Sequence, residues 1–207
     1  MRRSSLSISA EIKVVSWNKI DFYGCIVMDL IKKVIKIVDL WNPGDNQISL
    51  DKGHDFENYV AHLFKLKNDY FAIHEWTTDH SDKRTGIRVE SDSKPDFVIR
   101  YKPKNEYFAV EAKWRAYPFY NKNIRDYVIK WAEPYQIKNY QMYSRKMNIP
   151  VFIAIGLAGT PHNPGYMFCL PLEEAKYPEL FRSILKKYQR EPKNKPFFWD
   201  AKNKKLF

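Results

Sequence analysis

Two strand-like segments, residues 97–101 and 107–114, flank Lys102-Pro103-Lys104-Asn105, and no other feature constrains this chain as tightly. Proline and asparagine favour a tight reversal, so the segments are predicted to form an antiparallel hairpin. With four loop residues paired symmetrically, partners across the hairpin have numbers adding to 207, which sets Asp96 opposite Glu111. Directly opposed residues share a sheet face with Cβ atoms about 5 Å apart, where like charges destabilise the pair. Lys113 lies two residues beyond Glu111 on the same face, ~7 Å along the strand. The alternating residues Phe108, Val110, Ala112 and Trp114 are apolar and turn to the core. The plain alternative is a set of solvent-facing side chains in which Lys113 pairs with Glu111.

Three neighbours weigh against that alternative. Glu57 precedes Val60, Ala61 and Phe64 by three, four and seven residues on a predicted helix, so its carboxylate tends toward the packed side. Buried acids need a partner. Pro95 directly precedes Asp96, giving Pro-Asp and then, fifteen residues after the aspartate, Glu-Ala-Lys. Gln136 and Tyr140 form an i, i+4 pair at the start of the helix expected after the hairpin.

On Pro95-Asp96 and Glu111-Ala112-Lys113 the sequence resembles the PD-(D/E)XK nuclease superfamily, and Gln136 with Tyr140 is similar to the Gln-x-x-x-Tyr motif of its RecB-type exonuclease branch. The resemblance covers roughly residues 50–170. It implies an α/β fold with a restriction endonuclease-like core, a central mixed sheet of four to five strands flanked by helices. It also implies Mg²⁺, with Mn²⁺ as a substitute, held by Asp96, Glu111, the Ala112 carbonyl and Glu57, an oxygen-rich set of the kind Mg²⁺ prefers. Lys113 would orient the attacking water or offset developing charge, and Gln136 would position the site. The implied activity is hydrolysis of DNA phosphodiesters. The intact Asp96, Glu111 and Lys113 set favours an enzyme over a noncatalytic DNA-binding or assembly module. A metal-dependent RNase is the third reading.

The rest of the chain is read from periodicity. Val27, Leu30, Ile31, Val34, Val38 and Trp41 form one stripe of an amphipathic helix, so residues 1–48 are expected as an N-terminal extension and 49–207 as the nuclease-like domain. That stripe suits packing on the domain or on a second copy of the chain, or a membrane surface; Met28 is an alternative start. Helices are expected near residues 54–66, 134–147 and 178–188, and strands at 70–76, 151–157 and 166–170. Residues 77–94 form a long polar loop, where His80 with Asp79 and Asp82 offers a weak second metal site. The five histidines show no ligand spacing. Tyr140 and Tyr143 either pack in the core or stack on bases.

The chain carries 35 Lys+Arg and 24 Asp+Glu, a formal charge of +11, with 44% hydrophobic and 16% aromatic residues among 207. That content rules out disorder throughout. Cys25 and Cys169 stand too far apart, without Cys/His clusters, for a disulfide scaffold or structural zinc, which suits a reducing, cytoplasmic setting. The apolar run from Cys25 onward is broken by Asp29, Lys32, Lys33, Lys36 and Asp39, so no membrane span is expected. The excess charge is uneven. Residues 51–115 hold 12 basic and 12 acidic side chains, whereas residues 116–207 hold 16 and 7. The C-terminal half is therefore expected to attract DNA, with Arg115, Lys186, Lys187 and Arg190 as candidate nucleic-acid contacts beside Tyr140.

Overall fold

A computed structural model describes the backbone of residues 45–77 and 94–207 and the side chains of residues 51–77 and 94–207. The amphipathic helix expected at residues 27–41 and the loop with Asp79, His80 and Asp82 lie outside the described residues. All described elements belong to the unit Ile48–Phe207, apart from the first residues of the first helix.

The hairpin forms as expected. β2 (Phe97–Tyr101) pairs antiparallel with β3 (Glu106–Arg115) in the register Phe97↔Val110 through Tyr101↔Glu106. A 3₁₀ turn at Lys102–Lys104 joins them, closed by Asn105 in the left-handed region at φ 51°, a conformation asparagine tolerates well. β1 (Phe71–Trp76) adds to β2 antiparallel. On its other edge β3 pairs parallel with β6 (Val151–Thr160), and β6 pairs antiparallel with β7 (Asn163–Pro171). The result is a mixed five-stranded sheet ordered β1-β2-β3-β6-β7.

Helices cover both faces. α1 (Asp45–Lys65) lays Phe56, Val60, Leu63 and Phe64 on Phe97, Phe108, Val110 and Phe152, all buried. It begins earlier than the apolar spacing suggested and runs through Gly53, whose missing side chain would meet nothing, so the glycine leaves no gap and costs only its backbone freedom. α2 (Pro134–Met147), with Pro134 in its first turn, covers the opposite face through buried Ile137, Tyr140 and Tyr143. Residues 151–157 are buried on both faces of the sheet, as their unbroken apolar run implied.

Two regions depart from the expectation. β4 (Phe119–Asn121) and β5 (Asp126–Lys130) form a hairpin between β3 and α2. Of the segment expected as a helix over 178–188, Glu179–Phe181 is instead β8, paired with β5, and only Arg182–Lys187 is helical (α3). Three residues that read as helix become strand because a partner strand satisfies their backbone. The basic tail also belongs to the core: Phe197 stacks on Phe64 at 4.2 Å and Trp199 on Phe108 at 4.6 Å. Trp199 lies on β9 (Trp199–Asp200), which pairs with β10 (Lys205–Leu206).

Candidate active site

β2 begins one residue after Asp96. Asp96 stands directly before Phe97, where the β2–β3 ladder stops, and two hydrogen bonds continue the ladder through side chains. The Asp96 amide donates to Glu111 Oε2 at 3.2 Å, and the Ala112 amide donates to Asp96 Oδ2 at 2.7 Å. A strand residue's N–H and C=O point to the same edge, so the Ala112 carbonyl also points to the Asp96 side, away from β6. The predicted opposition of Asp96 and Glu111 is thus built into the backbone.

Glu111 is 1% exposed. Its Oε1 accepts from the Tyr140 hydroxyl at 2.5 Å and is paired with the Lys113 ammonium. Lys113 retains about a fifth of its exposure, enough to reach a ligand from the rim of a buried cluster. Two unit negative charges about 5 Å apart repel by about 3 kcal/mol at an effective dielectric near 20. That exceeds what a cross-strand pair ordinarily contributes, so the carboxylates need neutralising. The titration behaviour follows. Burial, then Glu111, and also Glu57 push the Asp96 carboxyl well above its ordinary value, against the pull of Lys113 and the Ala112 amide. Burial alone would lower Lys113, but Glu111 and Asp96 outweigh it and hold the ammonium charged. Burial and the same two acids raise the Tyr140 phenol, which stays a neutral donor.

Glu57 on α1 lies with its Oε2 3.4 Å from His54 Nδ1 and adds a negative field at Asp96. Asp96, Glu111 and Lys113 therefore lie together at this edge of the sheet, joined by hydrogen bonds and an ion pair, whereas no contact joins Glu57 to them among the described residues. The remaining candidates do not all join them. Tyr140 is 2% exposed and packs against Trp131, so it positions Glu111 and cannot stack on a base. Gln136 accepts the Glu133 amide at 2.9 Å through Oε1, a capping interaction at the start of α2. Arg115 donates to the carbonyls of Lys130, Trp131 and Trp114, which leaves it a structural strut rather than a phosphate contact. Arg190 is 3% exposed, donates to the carbonyls of Lys193, Lys195 and Pro196, and stacks on Phe197 at 3.9 Å. It holds the tail in place and cannot meet DNA. Lys186 and Lys187 are exposed on α3, and no contact joins them to the cluster among the described residues. The hydroxyl role of Tyr140 escaped the sequence reading, although its spacing from Gln136 marked the right helix face.

No group of three Asp, Glu, His or Cys side chains is arranged around a common metal position among the described residues. Mg²⁺, however, keeps several waters and is commonly held by one or two carboxylates. Asp96 Oδ1 accepts no hydrogen bond among the described residues, Glu111 lies directly opposite, and the Ala112 carbonyl faces the same edge. This donor set fits a hard divalent cation, and the raised Asp96 carboxyl is what such a cation would relieve.

No protein-family model and no curated protein matches the sequence. Among solved structures, Hjc, a Holliday junction resolvase from the archaeal hyperthermophile Archaeoglobus fulgidus, is similar over 66% of this chain and 93% of its own, at 18% identity and a TM-score of 0.43.

Proposed function

We propose that this chain is a divalent-metal-dependent deoxyribonuclease that hydrolyses DNA phosphodiester bonds. One observation carries the reading: two carboxylates that repel each other are locked face to face at the end of a strand pair, with a charged lysine beside them. A fold gains no stability from this arrangement, but phosphoryl chemistry uses it. Asp96, Glu111 and the Ala112 carbonyl would hold Mg²⁺ or Mn²⁺, with Glu57 contributing directly or through a water. When bound, the ion polarises the scissile phosphate and lowers the pKa of a bound water. Lys113 keeps its proton and places a positive charge at the rim, where it orients the nucleophile or offsets charge developing on the phosphate. Tyr140 holds Glu111 in one orientation. Cutting both strands of a duplex calls for two such sites, and the apolar stripe Val27, Leu30, Ile31, Val34, Val38 and Trp41 is our candidate for joining two copies.

A noncatalytic DNA-binding role draws on one feature: Lys113 already neutralises Glu111, so the pair is self-sufficient without a metal. Incubating the full chain with linear and circular duplex DNA, single-stranded DNA, branched DNA and RNA, in Mg²⁺, Mn²⁺ and EDTA, separates the readings. The nuclease reading expects metal-dependent cleavage of DNA that stops in EDTA. Binding without cleavage of any substrate supports the noncatalytic module, and cleavage of RNA alone supports a ribonuclease.

A further inference from the structure

Where β3 leaves the sheet, a groove of about 310 Å³ opens, lined by Arg115, Tyr117, Phe119, Lys130, Glu133 and Gln136. The hydrolytic chemistry above uses none of it. Its placement ties it to the carboxylates through two elements. Arg115 follows Lys113 by two residues on the same face of β3, ~7 Å along the strand. Gln136 sits one turn before Tyr140 on α2, and Tyr140 holds Glu111.

The walls are specific. Arg115 is fixed by its three carbonyl partners and forms a rigid side. The Gln136 carbonyl oxygen accepts the Glu133 amide, which sets the carboxamide's orientation and leaves its NH₂ group to donate. Lys130, paired with Glu133 at 2.5 Å and half-exposed, puts a cation at the edge. Tyr117 is 42% exposed, so a large aromatic side chain meets water inside a concave site, with Phe119 beside it. An aromatic face and a neutral amide donor match a nucleobase: π surface and hydrogen-bonding edge. A base inside a duplex is already stacked on both sides and cannot enter, so the occupant must be unpaired.

We propose that this groove receives an unpaired nucleobase of the strand being cut, stacked on Tyr117 beside Phe119, which makes single-stranded or frayed DNA the preferred substrate class. Cleavage of that strand rests on the nuclease reading; capture of an unpaired base does not. The test measures binding of the full chain, in EDTA to prevent cleavage, to a labelled single-stranded oligonucleotide and to the corresponding blunt duplex. Tyr117→Ala and Tyr117→Leu are expected to weaken single-strand binding by about 5- to 150-fold, the loss of one base–aromatic stack, and duplex binding much less. Tyr117→Trp should restore it. Equal losses on the two DNAs, wild-type binding by the Leu variant, or failure of Trp to rescue would overturn the proposal. If single-strand binding depends on Tyr117 but no DNA is cleaved in Mg²⁺ or Mn²⁺, the catalytic reading fails and the groove assignment stands. If DNA is cleaved and Tyr117 is immaterial, the reverse holds.

Discussion

Asp96 sits where burial and a facing carboxylate both disfavour its charge. Its carboxyl is raised by burial, Glu111 and Glu57, so without metal the folded protein keeps a proton there that the unfolded chain has released. The folded state then binds more protons than the unfolded one, and stability falls as pH rises from the ordinary value of 3.8 toward the folded-state value. Asp96→Asn removes this term while its amide oxygen can still accept from Ala112. In EDTA, urea unfolding should show Asn more stable than wild type, with a gap that widens as pH rises above the ordinary carboxylate value of 3.8; a gap independent of pH would contradict this. Lys113 works in the opposite sense. It compensates the buried Glu111, so Lys113→Met should destabilise by about 3 kcal/mol, the cost of leaving a buried charge unpaired. Tyr140→Phe should cost about 1–3 kcal/mol, since one Glu111 oxygen loses its hydroxyl donor. Arg190 marks the limit of reading residues from type alone. Arginine in a Lys-rich tail reads as phosphate-binding, yet three carbonyls and a phenylalanine ring engage it. Those acceptors come from backbone that only the folded tail brings together.

At the scale of elements, legibility in the sequence follows how local the determinants are. The turn residues and an apolar alternation set the β2–β3 register, and Pro134 with a 3.6-residue pattern set α2, so both were readable, with β3 one residue longer at each end than expected. β4, β5 and β8 depend on one another: each is three to five residues long, and β5 joins its hairpin partner β4 to β8, about fifty residues further along the chain. Their β-branched and aromatic content, Phe119-Tyr120 and Tyr127-Val128-Ile129, was the available signal. The docking of α1 is equally tertiary. Gly156 on β6 leaves room for the Phe56 ring, and a Cβ there would run into it. Gly156→Ala should destabilise by about 1–3 kcal/mol through overpacking. Because Glu57 neighbours Phe56, it should also reduce activity more than a distant variant of equal stability; urea unfolding and cleavage rates on the same samples check both.

For the molecule as a whole, the division of charge takes on a structural meaning. The segment bearing the carboxylates is neutral overall, and the basic excess lies in residues 116–207. Part of that excess serves packing: Arg190 is buried, and Lys193 donates to the Pro164 carbonyl at 2.6 Å. Lys186 and Lys187, exposed on α3, remain the better candidates for phosphate contacts. Replacing both with alanine should weaken DNA binding for all sequences alike and reduce the slope of log affinity against log salt by about 2. Binding isotherms across a salt series test this, and an unchanged slope would remove α3 from the interface. Among the described residues no helix is long and apolar enough to cross a membrane. If the opposed carboxylates and the charged lysine form a metal-dependent hydrolytic site, altering Asp96 alone should all but abolish cleavage. The most direct test is the cleavage rate of single-stranded and duplex DNA in Mg²⁺ by wild type and by Asp96→Asn, which alters one carboxylate and little else. Wild type should cleave, EDTA should abolish that cleavage, and the folded variant should lose at least ~100-fold; equal cleavage by the two proteins would rule out a metal-dependent site at Asp96.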